Sequence, residues 1–214
     1  MLIDKPAGIT SFDVIRILRK KLGVQKAGHA GTLDPQASGL LIIGVGAGRK
    51  KLKNFLHLPK TYLADILFGR KTTTGDLEGE IVEEEEVDEV DRKELENILV
   101  SLVGEVKLKV PIFSAVKVRG VPLYKYARGG VNVEVPTRTR RIYSVKLLGV
   151  EKIKEEDKDF FVVRIEIEVE SGTYIRAVAE EIGARLGFPA TLANLRRTKI
   201  GKFSVDIAKK LEDF

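Results

Sequence analysis

Three segments of the chain carry side chains suited to chemistry. The first runs from Gly28 to Leu41, Gly-His-Ala-Gly-Thr-Leu-Asp-Pro-Gln-Ala-Ser-Gly-Leu-Leu. It sets one imidazole, His29, and one carboxylate, Asp34, among small residues that let a backbone turn tightly and come close to a ligand. Asp-Pro alone is ordinary turn chemistry. Gly, His, Gly, Thr and Asp at this spacing, ahead of an apolar run, spend more backbone freedom than a plain turn needs. The second segment, Ser171-Gly172-Thr173-Tyr174-Ile175-Arg176, opens a helix and puts a phenol and a guanidinium in its first turn. In isolation it reads as an N-cap followed by a surface arginine. The third, Leu195-Arg196-Arg197-Thr198-Lys199-Ile200-Gly201, is in isolation a basic surface strip. A guanidinium beside a carboxylate favours the ionised acid, commonly by about 1–3 pKa units. The chain has no cysteine, which excludes disulfides, thiolate nucleophiles and iron–sulfur ligation. Its two histidines, His29 and His57, make no histidine-rich zinc site.

The elements that must position these groups can be read from periodicity. Thr10 and Asp13 have capping-box spacing, Val14, Ile15, Leu18 and Leu22 form one apolar face, and Gly23 ends a first helix. Leu40–Val45 reads as a buried strand and Tyr62–Phe68 as a second. A helix is expected from about Asp91 to Val103, with Leu95, Leu99, Leu102 and Val103 inward and Gly104 closing it. The acidic run Glu83–Glu89 reads as a solvated connection. Pro111 to Pro136, rich in Gly, Pro, aromatic and basic residues, reads as an exposed lobe or long loop. Phe160–Ser171 alternates, with Phe161, Val163, Ile165, Ile167 and Val169 on one face. Thr173–Leu186 is an amphipathic helix ended by Gly187. Strands and helices mix without a βαβ rhythm, so the class is α+β.

The 214 residues are 43% hydrophobic and 32% charged, as in a globular protein. No stretch of about 18 apolar residues is present. The N-terminus lacks the pattern of a signal peptide, and a cytoplasmic location is expected. The net charge is +6. Glu78 to Glu96 holds 11 acidic and 2 basic residues, leaving 35 basic against 20 acidic elsewhere. A basic body with one acidic appendage fits a polyanionic partner such as nucleic acid. It fits equally the Lys- and Glu-rich surface of a thermophile.

Taken together, the motifs resemble the bacterial tRNA pseudouridine synthase B family along the whole chain. Lys5-Pro6 with Thr10-Ser11 is similar to its N-terminal motif, Gly28–Leu41 to its catalytic motif, and Tyr62 to its base-stacking tyrosine. Ser114-Ala115-Val116-Lys117, Gly120, Tyr124 and Ala127-Arg128 resemble its RNA-gripping thumb, and Gly172–Arg176, Leu195–Thr198, Gly201 and Phe203 complete the pattern. The resemblance implies a pseudouridine synthase fold, a mixed, mainly antiparallel sheet flanked by helices, with a thumb lobe at about 110–136. It implies that Asp34 is the catalytic carboxylate, acting as nucleophile or as base, that Arg176 pairs with it, and that Tyr174 assists proton transfer. Tyr62 would stack on the target base, Leu195 would pack against it, His29 would displace the flipped nucleotide, and Lys5 would support the site. Lys117 and Arg128 would grip RNA. The implied substrate is a uridine in the TΨC stem-loop of tRNA. No cofactor, metal or membrane is called for, and a monomer is expected.

The chain departs from the family pattern at Val110-Pro111-Ile112-Phe113 and at Lys202. It stops about ten residues after Phe203, where many relatives continue into a C-terminal RNA-binding domain, so a single catalytic domain without a PUA-like domain is expected. Three rivals are weaker. Gly44-Val45-Gly46-Ala47-Gly48 with Asp65 imitates a dinucleotide fingerprint, but Arg49 takes the last glycine position and the basic residues after it suit no crossover helix. A non-catalytic RNA chaperone leaves Asp34, Tyr62, Tyr174 and Arg176 unexplained. The same chemistry on another RNA is the third.

Overall fold

The computed structural model describes every residue of the chain except Glu156. The elements are β1 (Leu2–Lys5), α1 (Ser11–Leu22), β2 (Ala27–Ala30), β3 (Ser38–Val45), α2 (Lys53–Leu56), β4 (Lys60–Phe68), β5 (Arg70–Thr72), β6 (Ile81–Glu84), α3 (Arg92–Ser101), β7 (Gly104–Lys109), β8 (Lys117–Val118), β9 (Val121–Pro122), α4 (Leu123–Arg128), β10 (Thr137–Glu155), β11 (Lys158–Val169), α5 (Ile175–Leu186), β12 (Ala190–Ile200) and β13 (Phe203–Ser204). They fall into two compact units. One comprises Met1–Leu63, Ile167–Ser171 and Asn194–Phe214, the other Ala64–Glu166 and Gly172–Ala193.

In the first unit the strand order is β1-β3-β12-β4-β11, with β2 on β3 and β13 on β12. β1 and β2 both run antiparallel to β3, β1 along its first half and β2 along its second. β12 runs parallel to β3, with Arg197 opposite Gly39. That pairing is why residue 39 is glycine. Its φ is +105°, and a Cβ there would lie 2.2 Å from the Arg197 carbonyl oxygen. α1 starts as its sequence predicts. Thr10 accepts from the Asp13 amide and Asp13 reaches back to the Thr10 amide, while Gly23 closes the helix at φ +65°. Its Val14, Ile15 and Leu18 pack on Ile3, Leu41 and Ile43. Each such fully buried side chain is worth about 1.5–3 kcal/mol. The dinucleotide reading ends here, because β3 leads into a short 3-10 helix at Gly46–Lys51 rather than a crossover helix.

In the second unit the order is β12-β4-β11-β10-β7. On β11, Val163 and Ile165 are fully buried as their alternation requires, but at its start Phe160 is buried and Phe161 only partly so. The Arg70 guanidinium lies 4.9 Å from the Phe160 ring centre, which favours that side chain inward. α3 begins one residue later than expected, because Asp91 caps the amides of Lys93 and Glu94. Gly104 opens β7 rather than closing the helix.

Two expectations are refined. The acidic run is a solvated connection only from Glu85, with Glu85, Glu86, Asp88 and Glu89 exposed and Val87 buried: Glu83 and Glu84 belong to β6, paired with β5, and Glu84 binds Arg70 and Lys158 at 2.8 and 2.7 Å. Of the two readings of Pro111 to Pro136, exposed lobe or long loop, the structure has the lobe. It folds as the β8–β9 hairpin followed by α4, anchored by the fully buried Leu123.

Candidate active site

Asp34 sits on an irregular loop between β2 and β3, and the first unit ties down that loop on three sides. From the α1 side, Ser11 Oγ donates to the Leu33 carbonyl at 3.1 Å and accepts from the Leu33 amide at 2.9 Å. From β1, the fully buried Lys5 donates its ammonium to the carbonyls of Pro6, Ile9 and Pro35 at 2.9, 2.6 and 3.0 Å. From β12, Arg197 donates to the carbonyls of Leu40, Gly31 and Thr32 at 2.8, 3.1 and 3.4 Å. Arg197 is 1% exposed and is the largest fully buried side chain of the chain's described residues. Leu33 is buried while Asp34 is only partly so, so the loop holds its carboxylate at a surface the backbone cannot easily leave.

The surrounding charges are positive. Burial pushes the Lys5 ammonium down to about 8, the Asp34 charge opposing the shift and Arg197 adding to it. Lys60, at the start of β4, donates to the Leu56 carbonyl and to Ser171 Oγ at 2.6 and 2.7 Å. Burial pushes it to about 8 as well, with Arg197 the second cause. His29, on β2 opposite Ile43, is held below its ordinary value by burial first and the Arg197 charge second, so it is neutral at pH 7. Tyr62 on β4 is 8% exposed, and Leu195 on β12 is partly buried beside Arg196, which grips Asp4 with two contacts of 3.0 and 2.7 Å.

In the second unit, Tyr174 is the N-cap residue of α5 and Arg176 lies two residues on, 5% exposed. The helix starts later than its pattern suggests: Thr173 precedes it, and Tyr174 makes no side-chain cap. Arg176 donates to the Thr74 carbonyl at 2.7 Å and to the Phe113 carbonyl at 3.2 Å, and its Nε lies 3.7 Å from Asp76. Thr74 in turn donates to Asp76. A guanidinium so buried and so oriented is not the surface arginine that its segment alone would allow. In the lobe of β8, β9 and α4, Lys117 and Arg128 are exposed, the latter 5.5 Å from the Tyr124 ring centre.

Sequence reading missed Arg197, Lys60 and the Thr74–Asp76 turn. A signal existed for Arg197. Neighbouring residues on a strand point to opposite faces, so of Arg196 and Arg197 on a strand with a buried face one has to point inward. Lys60 and Asp76 carry no comparable mark.

Residues 19–175 match the family described as TruB family pseudouridylate synthase, N-terminal domain. The chain is 41% identical to tRNA pseudouridine synthase B of Geobacillus kaustophilus, over 100% of this chain and 74% of that protein. It is 42% identical to the protein of the same name from Caldicellulosiruptor saccharolyticus, over 99% and 70%. A solved H/ACA RNP bound to a substrate RNA containing 2'-deoxyuridine superposes with a TM-score of 0.69 at 26% identity, over 99% of this chain. This chain spans about half the length of that one, 50%. The fold is that of the pseudouridine synthases, as the motifs imply. Within them, the chain belongs to the TruB family.

Proposed function

We propose that this chain isomerises a uridine to pseudouridine in the TΨC loop of tRNA, position 55 by family resemblance, with Asp34 as the catalytic carboxylate. The observation that carries the reading is the scaffold of Ser11, Lys5 and Arg197, which fixes the Asp34 loop through backbone carbonyls and leaves its carboxylate partly exposed. Its preorganisation suits an acid that must meet one atom of a flipped nucleotide.

The reaction breaks the C1′–N1 bond, turns the uracil and joins C1′ to C5, so it needs no net oxidant, reductant or water. Asp34 acts ionised, and Arg176 is the cation that favours that state in this reading. Tyr62 offers the ring for stacking, worth about 1–3 kcal/mol per base against a flipping cost of a few kcal/mol. Leu195 packs against the base, Tyr174 assists proton transfer, neutral His29 fills the vacated place in the loop, and Lys117 and Arg128 hold the backbone. The enzyme is read as a cytoplasmic monomer.

Incubation with an unmodified tRNA transcript, followed by site-resolved pseudouridine detection, tests this. One modified site in the TΨC loop is expected. Modification of ribosomal RNA alone would leave the chemistry and overturn the substrate, and no modification of any RNA would overturn both.

A further inference from the structure

A basic strip in the second unit has no place in the roles assigned so far. On the β7–β10 ladder Arg138 stands opposite Leu108 and Arg140 opposite Val106. Partners across an antiparallel ladder share a face, and Leu108 and Val106 are buried. Arg138 and Arg140 are therefore on the packed face of the sheet, yet Arg138 is exposed and Arg140 partly so. Thr137, Thr139 and Arg141 point to the other, exposed face, where Arg141 lies 3.7 Å from Glu105.

The start of α5 lies next to the two arginines on this face. A small cleft there is lined by Lys109, Arg138, Arg140, Gly172, Tyr174 and Ala177. Gly172 adjoins Arg140, and its φ of +83° is the left-handed conformation that calls for glycine there. Arg138 makes no ion pair among the described residues. Lys109, opposite Thr137, belongs to the other face, so two guanidinium groups, those of Arg138 and Arg140, stand beside Tyr174.

We infer that Arg138 and Arg140 form a phosphate-binding strip that holds the RNA backbone immediately beside the target nucleotide. Two residues apart on a strand, the arginines stand about 7 Å apart, a spacing comparable to that of successive phosphates in one nucleic-acid strand. Phosphate contacts position a nucleic acid without reading its bases. A strip next to Tyr174 holds the chain where one nucleotide has to leave the stack, which sets the register of the flip. The inference rests on the RNA-modifying reading above.

The test measures binding of tRNA, and of an isolated TΨC stem-loop, against salt. Each lost phosphate contact lowers the slope of log affinity against log salt by about 0.7–0.9. Arg138→Gln should lower it by that amount, and Arg138→Gln with Arg140→Gln by about twice that, weakening binding about tenfold or more at about 0.1 M salt. Arg138→Lys should keep the slope, since an ammonium also meets a phosphate as a point charge. Arg141→Gln removes the same charge from the other face of the same strand and should leave the slope unchanged. Arg138 is exposed, so its single variants test the strip even if the double variant fails to fold. Unchanged slopes at Arg138, or an equal fall for Arg141→Gln, would overturn the strip. A fall seen with whole tRNA but not with the stem-loop would overturn its place beside the target. Failure of the wild type to make pseudouridine would instead sink the functional reading, and shows separately.

Discussion

Arg176 and Lys60 are charges that the fold has removed from water, and each is expected to show it. Arg176 meets two carbonyls and an aspartate from a planar head. Lysine cannot reproduce that fork and costs more to desolvate. Arg176→Lys should therefore lower the single-turnover rate at saturating enzyme at least about tenfold, about 1.4 kcal/mol in the barrier, with a much smaller change in tRNA affinity. An unchanged rate with a large loss of affinity would make Arg176 a phosphate contact instead. Lys60 is pushed from 10.5 down to about 8. Between those values the unfolded chain binds more protons there than the native one, so this group adds stability as pH rises from about 8 to about 10.5. Lys60→Met cannot titrate. The stability of the wild type relative to that variant, measured by urea unfolding at about pH 7.5 and about pH 10, should rise with pH. Parallel profiles would contradict the buried charge. Of these residues Arg176 was legible from its motif. Lys60 was not, because nothing local distinguishes a lysine that enters a core from one that stays in water.

At the scale of elements, the pieces legible in the sequence are those whose signals are local. The α1 capping box, its Gly23 stop and the buried run of β3 all form where periodicity puts them. Only the start of the acidic run escapes its reading as a solvated connection, because its partners lie outside the run: β5 supplies the hairpin, and Arg70 and Lys158 pair with Glu84. The same holds for β12, whose basic end looks solvated until its parallel neighbour β3 is known. Arg197→Ala would leave the buried Leu40 carbonyl of β3, and the less buried carbonyls of Gly31 and Thr32 ahead of Asp34, short of a donor. At about 1–3 kcal/mol for a buried acceptor left unsatisfied, denaturant unfolding should show a loss of at least about 2 kcal/mol. A loss below about 0.5 kcal/mol would mean that the loop holds itself. The β8–β9–α4 lobe is the opposite case. Strands of two residues and a helix of six are marginal by themselves, although Leu123 anchors them. Hydrogen exchange should be fast at 117–128 in the free protein and slower with tRNA bound, while β7 and β10 change little. Equal exchange in both states would count against a lobe that closes on RNA.

At the scale of the whole chain, charge and motif order point the same way. The net +6 understates the basic character of the chain outside 78–96, because that segment holds 11 of the 31 acidic residues and leaves 35 basic against 20 acidic elsewhere. The family was legible because its motifs recur in order, each attached to an element that periodicity finds. The scaffold of the site was not, because Lys5, Ser11 and Arg197 reach the Asp34 loop from three separate stretches of sequence. That convergence gives the central claim, an Asp34 carboxylate held ready for a flipped uridine, its most direct test. Asp34→Asn keeps the size and hydrogen bonding of the side chain but can act neither as base nor as nucleophile. Single-turnover assays with an unmodified tRNA transcript, read by site-resolved pseudouridine detection beside filter binding, should show no product from the variant and an affinity within about threefold of wild type, less than about 0.7 kcal/mol. Pseudouridine formed by Asp34→Asn at a rate near that of the wild type would contradict the account.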